Sequence, residues 1–280
     1  MKVAVMGAGT MGSGIAQVSA VAGHQVVLHD SNQAARDRAA RVVATSLSRL
    51  VKKGTLSERK ARDALGRITL TDDIGPFSEA EVVIEAVFED IDVKRKVWGE
   101  ISIIVLESAI LASNTSSLSI TEIASFTSHP QRFCGMHFFN PVAILPLVEV
   151  VRGLTTSEAV VTEAQSFVKG LGKRAIVCQD RPGFIVNRLL VPYINDAIHA
   201  LSEGVASAED IDEAMKLGAN MPIGPLALAD LVGLDVALAA AESLYREFGD
   251  SKFRVAPLLR QLVRAGRLGR KTGQGFYSYP

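Results

Sequence analysis

The stretch KVAVMGAGTMGSGIAQVSAVAGHQVVLHD, residues 2–30, constrains this chain more than any other. An apolar run from Lys2 to Met6 reads as a buried strand. A helical stretch closed by Gly23 follows it, and a second apolar run ends at Asp30, so the whole forms a βαβ unit. Between strand and helix stand Gly7, Gly9 and Gly12 in G-x-G-x-x-G spacing. The first glycine permits the tight turn, the second lets a pyrophosphate approach the backbone, and the third lets helix and strand pack closely. The helix N-terminus, at Thr10 and Met11, offers unpaired amides to phosphates. Asp30, at the end of the second strand, is placed to accept hydrogen bonds from ribose hydroxyls and to repel a 2′-phosphate, which favours NAD over NADP. A glycine-rich turn alone is common; with strand, helix and acidic strand end together, the stretch reads as a dinucleotide site.

Beyond it, a polar helical stretch runs from about Ser31 to Lys53 and ends at Gly54, and Thr55 with Glu58 reads as a capping box opening another helix. Further strands are expected at Ile68 to Thr71, Glu81 to Val87, Ile110 to Ser113, Arg132 to His137, Leu147 to Val151 and Ala175 to Cys178, most of them separated by helical stretches. That alternation predicts an α/β fold, a Rossmann-type doubly wound and mainly parallel sheet to about residue 180, with room for antiparallel strands late in it. After DRPGF the pattern changes. Ile185 to Glu203, Ala208 to Leu217, a segment near Leu226 to Leu231, and Asp235 to Phe248 all read as helices. The expected division is therefore 1–182 for a nucleotide-binding domain and 183–280 for an all-helical one, joined at Pro182 and Gly183.

Composition narrows the function. Apolar residues make up 48% of the 280, enough to fill a core. Thirty basic residues balance thirty acidic ones, so no global field draws the chain to nucleic acid or to an anionic membrane, and an anionic ligand must be met by local charge. No apolar stretch reaches the roughly 18 to 20 residues that span a bilayer. Cys134 and Cys178 lack metal or redox spacing and read as buried thiols. With the opening residues running straight into the fold motif, a cytoplasmic protein is expected.

The segment HFFNPVAILPLVEV sets His137 and Glu149 among apolar residues, at the end of one expected strand and near the start of the next. A nicotinamide enzyme that oxidises an alcohol needs a base for the hydroxyl proton, and histidine oriented by a carboxylate suits that task. Alone, His137 would more often be structural; the dinucleotide motif tips the balance toward the base. His24, His29, His129 and His199 read as solvated or structural. SNTSSLSI follows a strand at the carboxyl edge of the sheet, where ligands bind in such folds. Its hydroxyls either face a ligand or cap a helix through Ser117 or Ser119, and no serine has the G-x-S-x-G setting of a nucleophile.

The motifs GAGTMGSGIAQ, ASNTSSLSI, HFFNPV with PLVEV, DRPGFIVNRLL, AMKLGANMPIGPLALADLVGLD and GRKTGQGFY together resemble the 3-hydroxyacyl-CoA dehydrogenase family, most closely its stand-alone bacterial members. The resemblance covers nearly the whole chain. It implies an NAD-dependent oxidoreductase of fatty-acid metabolism that interconverts (S)-3-hydroxybutyryl-CoA and acetoacetyl-CoA, and it implies a homodimer formed through the helical domain. His137 becomes the general base and Glu149 its orienting partner. Ser116 and Asn187 match groups that hydrogen-bond the reacting oxygen, although Asn187 alone reads equally as a cap or a domain-join residue. Glu89, Lys94, Asn114, Asn140 and Lys271 match positions near the cofactor, although both lysines alone read as surface residues. Ser46, Lys52 and Lys53 match a coenzyme A contact region, although a basic helix end is commonly a solvated face. The rival readings are a dehydrogenase of a small hydroxy acid without coenzyme A, and a non-catalytic NAD-binding protein.

Overall fold

The computed structural model describes residues Met1–Pro280. Residues 1–181 and 182–280 form two compact units. The first is built on eight strands: β1 (Lys2–Met6), β2 (Gln25–His29), β3 (Ile68–Thr71), β4 (Val82–Glu85), β5 (Ile110–Ser113), β6 (Phe133–Phe138), β7 (Leu147–Arg152) and β8 (Arg174–Gln179). They lie in the order β3-β2-β1-β4-β5-β6-β7-β8. Every neighbouring pair is parallel except β6 and β7. The first six strands thus have the order of a doubly wound dinucleotide fold, with its switch point between β1 and β4.

The helices of this unit are α1 (Thr10–Val21), α2 (Gln33–Lys52), α3 (Glu58–Gly66), α4 (Ile91–Ile101), α5 (Ile120–Ala124) and α6 (Glu158–Gly170). Alternation along each strand serves two faces at once, as a buried parallel sheet requires. Val3, Val5, Val82 and Ile84 share one core with Ile15, Ala16 and Ala20 of α1, Val43 and Leu47 of α2, and Val160, Ala164 and Val168 of α6. Trp98 of α4 is fully buried and meets the Phe133 ring edge-on at 4.8 Å. The cap of α3 differs from expectation: Ser57 accepts the Lys60 amide, while the Thr55 hydroxyl turns back to the Leu50 carbonyl of α2. Ser57 stands immediately before the helix, where its side chain can reach the third amide; Thr55 stands two residues too early. Ser119, not Ser117, caps α5 through the Glu122 amide.

The direction of β7 follows from chain length. Only residues 139–146 join β6 to β7, too few for a parallel crossover, so the strand must return antiparallel. β8 runs parallel to β7 because α6 lies between them.

The second unit contains α7 (Val186–Ser202), α8 (Ala208–Ala219), α9 (Pro225–Val232), α10 (Leu234–Phe248) and α11 (Pro257–Arg264), the last not anticipated from the sequence. Its core joins Ile194 and Ile198 of α7, Leu226 and Ala229 of α9, Leu234 and Ala241 of α10, and Leu259 of α11. Two buried carboxylates tie it together. Asp212 accepts the first amides of α9, from Leu226 and Ala227, and the Tyr277 hydroxyl. Asp230 accepts the amides of Phe276 and Tyr277 and the Tyr279 hydroxyl, each at 3.0 Å. No helix of either unit is long and apolar enough to cross a membrane.

Asp230 is 1% exposed, so its charge is stabilised only by those donors. Asp230→Asn turns an amide toward groups that must donate, and the expected cost is about 2 kcal/mol or more, with residues 276–279 released to protease. Urea unfolding and limited proteolysis measure both; wild-type resistance at that segment would contradict the clamp.

Candidate active site

The carboxyl edge of the sheet gathers the candidate residues: Gly7 follows β1, Asp30 follows β2, Glu85 ends β4, Asn114 follows β5 and His137 lies near the end of β6. β7 runs the other way, so Glu149, near its beginning, comes to the same edge. A side chain from a strand antiparallel to the first six therefore reaches the edge formed by their carboxyl ends.

The glycine loop has the shape a dinucleotide needs. Gly7 adopts φ +101°, and a Cβ there would lie 2.6 Å from the Ala86 carbonyl oxygen. A Cβ on Gly12 would lie 1.8 Å from the Gly7 carbonyl oxygen, so turn and helix touch. A Cβ on Gly9, by contrast, would meet nothing within 4 Å. Gly9 is the N-cap of α1 and brings no side chain to its first amides, those of Thr10, Met11 and Gly12, so the positive end of the helix faces open space. Asp30 is held beside it, one carboxylate oxygen accepting the Ala8 amide and the other the Asn32 amide, both at 2.9 Å. Each oxygen retains capacity to accept from a ribose hydroxyl. These residues fit NAD.

His137 and Glu149 are direct register partners across β6 and β7. The contact is His137 Nδ1 to Glu149 Oε2 at 2.7 Å, with the two residues 3% and 0% exposed. A carboxylate only accepts, so in this contact Nδ1 is the donor, and Nε2 lies on the far side of the ring from Glu149. Ser116 Oγ lies 3.0 Å from Nε2, and the Phe139 ring centroid lies 4.4 Å from that of the imidazole. The ring is therefore held by Glu149 on one side and faces the Ser116 hydroxyl on the other.

Asn114 is buried and accepts the Phe138 amide through Oδ1, joining β5 to the end of β6. Asn140 is exposed and precedes a cis bond to Pro141. Glu89 Oε1 accepts from Thr115 Oγ1 at 2.6 Å, from the Ser116 and Ser117 amides at 2.8 and 3.0 Å, and from Ser117 Oγ at 3.2 Å. Burial alone would raise the Glu89 carboxyl, but the Lys94 ammonium and these hydrogen bonds outweigh it and hold the group below the usual glutamate range. Lys94, a surface lysine if read alone, is 1% exposed and pairs with Glu85 at 2.6 Å. Two neighbouring carboxylates supply the counter-charge that lets it be buried.

Glu85 was not among the expected site residues. Its only sign in the sequence is an acid closing the apolar run VVIE. Asp180 was also missed; its carboxylate accepts from Ser119 Oγ and from the Ile120 and Thr121 amides, fixing the start of α5. Lys52 and Lys53 are exposed at the C-terminal end of α2, with Ser46 half-buried two turns earlier, and neither lysine is ion-paired. Asn187, in the first turn of α7, and Lys271, paired with Asp235 at 2.6 Å, belong to the second unit. Burial pushes the Cys134 thiol up to about 12. Half-buried Cys178 is also pushed to about 12, by burial and by Glu149 and Asp180. Neither thiol is poised as a nucleophile.

Residues 2–181 match the model of the NAD binding domain of 3-hydroxyacyl-CoA dehydrogenase, and residues 183–279 match that of its C-terminal domain. The chain is 47% identical over 279 residues to the probable 3-hydroxybutyryl-CoA dehydrogenase of Deinococcus radiodurans, with 100% of each covered. Among solved structures it is similar to (S)-3-hydroxybutyryl-CoA dehydrogenase PaaH1 from Ralstonia eutropha, with TM-score 0.96, 51% identity, and 100% of this chain and 99% of that one covered. It is similar also to FadB2 of Mycobacterium tuberculosis, with TM-score 0.97, 46% identity, and 99% and 98% covered.

The two glycine positions predict opposite failures. Gly12→Ala forces the turn and helix apart and should cost roughly 2 kcal/mol or more of stability. Gly9→Ala should cost about 1 kcal/mol at most. Its methyl nonetheless intrudes where the pyrophosphate approaches, and NADH binding should weaken about tenfold or more, a loss of about 1.4 kcal/mol. Thermal melts and NADH fluorescence titration separate the two effects, and unchanged NADH affinity in Gly9→Ala would refute the assignment of the open face.

Proposed function

Since this chain belongs to the 3-hydroxyacyl-CoA dehydrogenase family, we propose that the buried His137–Glu149 pair is the acid and base of an NAD-dependent enzyme acting on (S)-3-hydroxybutyryl-CoA. The enzyme is an NAD-dependent oxidoreductase that interconverts a secondary hydroxyl and a ketone. One observation carries the residue assignment: the 2.7 Å contact that fixes Nδ1 and leaves Nε2 facing Ser116 Oγ at 3.0 Å.

Bound at the glycine loop, NAD supplies the acceptor for the hydride at C3 of the substrate. The accompanying proton leaves the hydroxyl for His137 Nε2. The imidazolium so formed keeps its Nδ1 proton on Glu149, whose charge is effective because water is excluded from the contact. Ser116 Oγ, beside Nε2, donates to the reacting oxygen and holds it against the base, and Asn187 is assigned the second donor by its match to the family motif. In the reductive direction protonated His137 returns the proton to the forming alcohol. Asp30 takes the ribose hydroxyls, the amides at Thr10, Met11 and Gly12 take the pyrophosphate, and Glu89, Lys94, Asn114, Asn140 and Lys271 frame the remainder of the cofactor. Lys52 and Lys53, free of carboxylate partners on a protein of zero net charge, meet the phosphates of coenzyme A, with Ser46 earlier on the same helix.

The second unit exposes Leu189, Leu217, Leu231, Val232 and Val236, and a second copy of the chain covering them gives a homodimer. A cytoplasmic location agrees with two cysteines that stand as free thiols.

His137→Gln keeps the ring's approximate volume but removes the base, so turnover should fall about 10² to 10⁴-fold with NADH affinity unchanged. Retention of more than about a tenth of wild-type turnover would end the proton-transfer assignment. For the substrate, kcat/KM for the coenzyme A thioester should exceed that for free 3-hydroxybutyrate by about 10²-fold or more, because remote binding energy is spent at the reacting centre. Comparable values would point to a free hydroxy acid instead.

A further inference from the structure

Beneath the Ser116 turn an ammonium lies between two carboxylates. Glu85 has no exposed surface. Its Oε1 accepts from Lys94 Nζ at 2.6 Å and from the Val87 amide at 2.9 Å, and its Oε2 accepts from Ser113 Oγ at 2.7 Å. On its other side Lys94 Nζ faces Glu89 Oε2 at 3.4 Å. Glu89 Oε1 then gathers the donors of Thr115, Ser116 and Ser117.

Such a trio is a poor device for stability. Taking an ion pair out of water costs several kcal/mol per ion, and apolar side chains of similar volume often serve as well or better. A hydrogen-bonded buried network instead fixes one geometry. The geometry fixed here is that of the backbone carrying Ser116, whose hydroxyl lies 3.0 Å from His137 Nε2. The trio also begins beside the cofactor loop, since Glu85 is in register with Met6 and the next residue, Ala86, lies against Gly7.

We propose that Glu85, Lys94 and Glu89 form a positioning relay for the proton-transfer site: Glu89 clamps the Ser116 turn, Lys94 sets Glu89, and Glu85 ties both to the end of β4. The proposal rests on the reading of His137 and Ser116 given above. It gives Glu89 and Lys94 a task beyond contact with NAD, and it makes them positioning residues that act through Ser116.

A double-mutant cycle in the full-length enzyme tests it. Glu89→Ala should lower kcat about 10- to 10²-fold, the scale of a small misplacement of a reacting group. Any change in the NADH dissociation constant, read by fluorescence titration, should be the same within about twofold whether or not the Ser116 hydroxyl is present, because contact with the cofactor does not run through it. In a Ser116→Ala background, with no hydroxyl left to place, Glu89→Ala should lower kcat by no more than about twofold further. Glu89→Gln keeps an acceptor oxygen for the turn and should recover part of the lost kcat. If Glu89→Ala is too unstable to purify, the cycle of Glu89→Gln with Ser116→Ala decides by the same criterion. Losses that multiply in the double variant overturn the relay, as does weakened NADH binding at unchanged kcat, which would leave Glu89 a cofactor contact alone. Inactive His137→Gln alongside multiplying losses removes the relay only. Active His137→Gln removes the proton-transfer reading beneath it.

Discussion

A glutamate with no exposed surface, Glu149, sets the terms for the first unit. A carboxyl group in an apolar interior is tolerated only against a partner with matched hydrogen bonding. The partner is His137, and the pairing demands that β7 return antiparallel to β6 in one register, because a slip of one residue would turn Glu149 to the opposite face of the sheet. The short excursion that makes the return is itself held. Lys173 Nζ donates to the carbonyls of Val142 and Leu145, at 2.6 and 2.7 Å. Val142 packs so closely on α1 that a Cβ on Gly14 would lie 2.8 Å from it. Helix α1 thus also supports the loop between His137 and Glu149.

The placement of charge follows the same economy. A chain with no net charge has no long-range field to guide an anionic substrate, so each charge acts where it stands. Asp30, Glu85, Glu89 and Glu149 lie at one edge of the sheet, and each takes backbone or side-chain donors from its own surroundings. Lys52 and Lys53, in contrast, stand in water without a partner. The sheet edge thus carries hydrogen-bonded negative charge, whereas the end of α2 carries solvated positive charge.

Much of this was legible in the sequence because periodicity and motif spacing are local. The doubly wound sheet, the glycine loop and the contact between His137 and Glu149 all follow from short stretches whose neighbours are close in the chain. Features set by distant partners were not legible. Lys94, in the first turn of a helix, looks solvated until Glu85 and Glu89 are folded around it. Ser57 outcompetes Thr55 as a cap because of one hydroxyl's reach. Nothing near Asp212 or Asp230 in the sequence marks them as buried, since partners of both lie in a segment 46 to 65 residues later. α11 was not legible as a helix, although α9, equally short, was.

That last dependence reaches into biosynthesis. Asp230 waits for donors that lie 46 to 49 residues further along, which at roughly 5 to 20 residues per second is an interval of about 2 to 10 s. Throughout it the carboxylate stays hydrated and the close seat that Gly275 takes against it is empty of chain, so the helical unit on the ribosome is a partly assembled bundle. The sheet unit, residues 1–181, is synthesised first and does not wait for those donors. For those seconds the second unit lacks its closing segment, and the apolar faces of α7, α9 and α10 are surfaces a chaperone would meet.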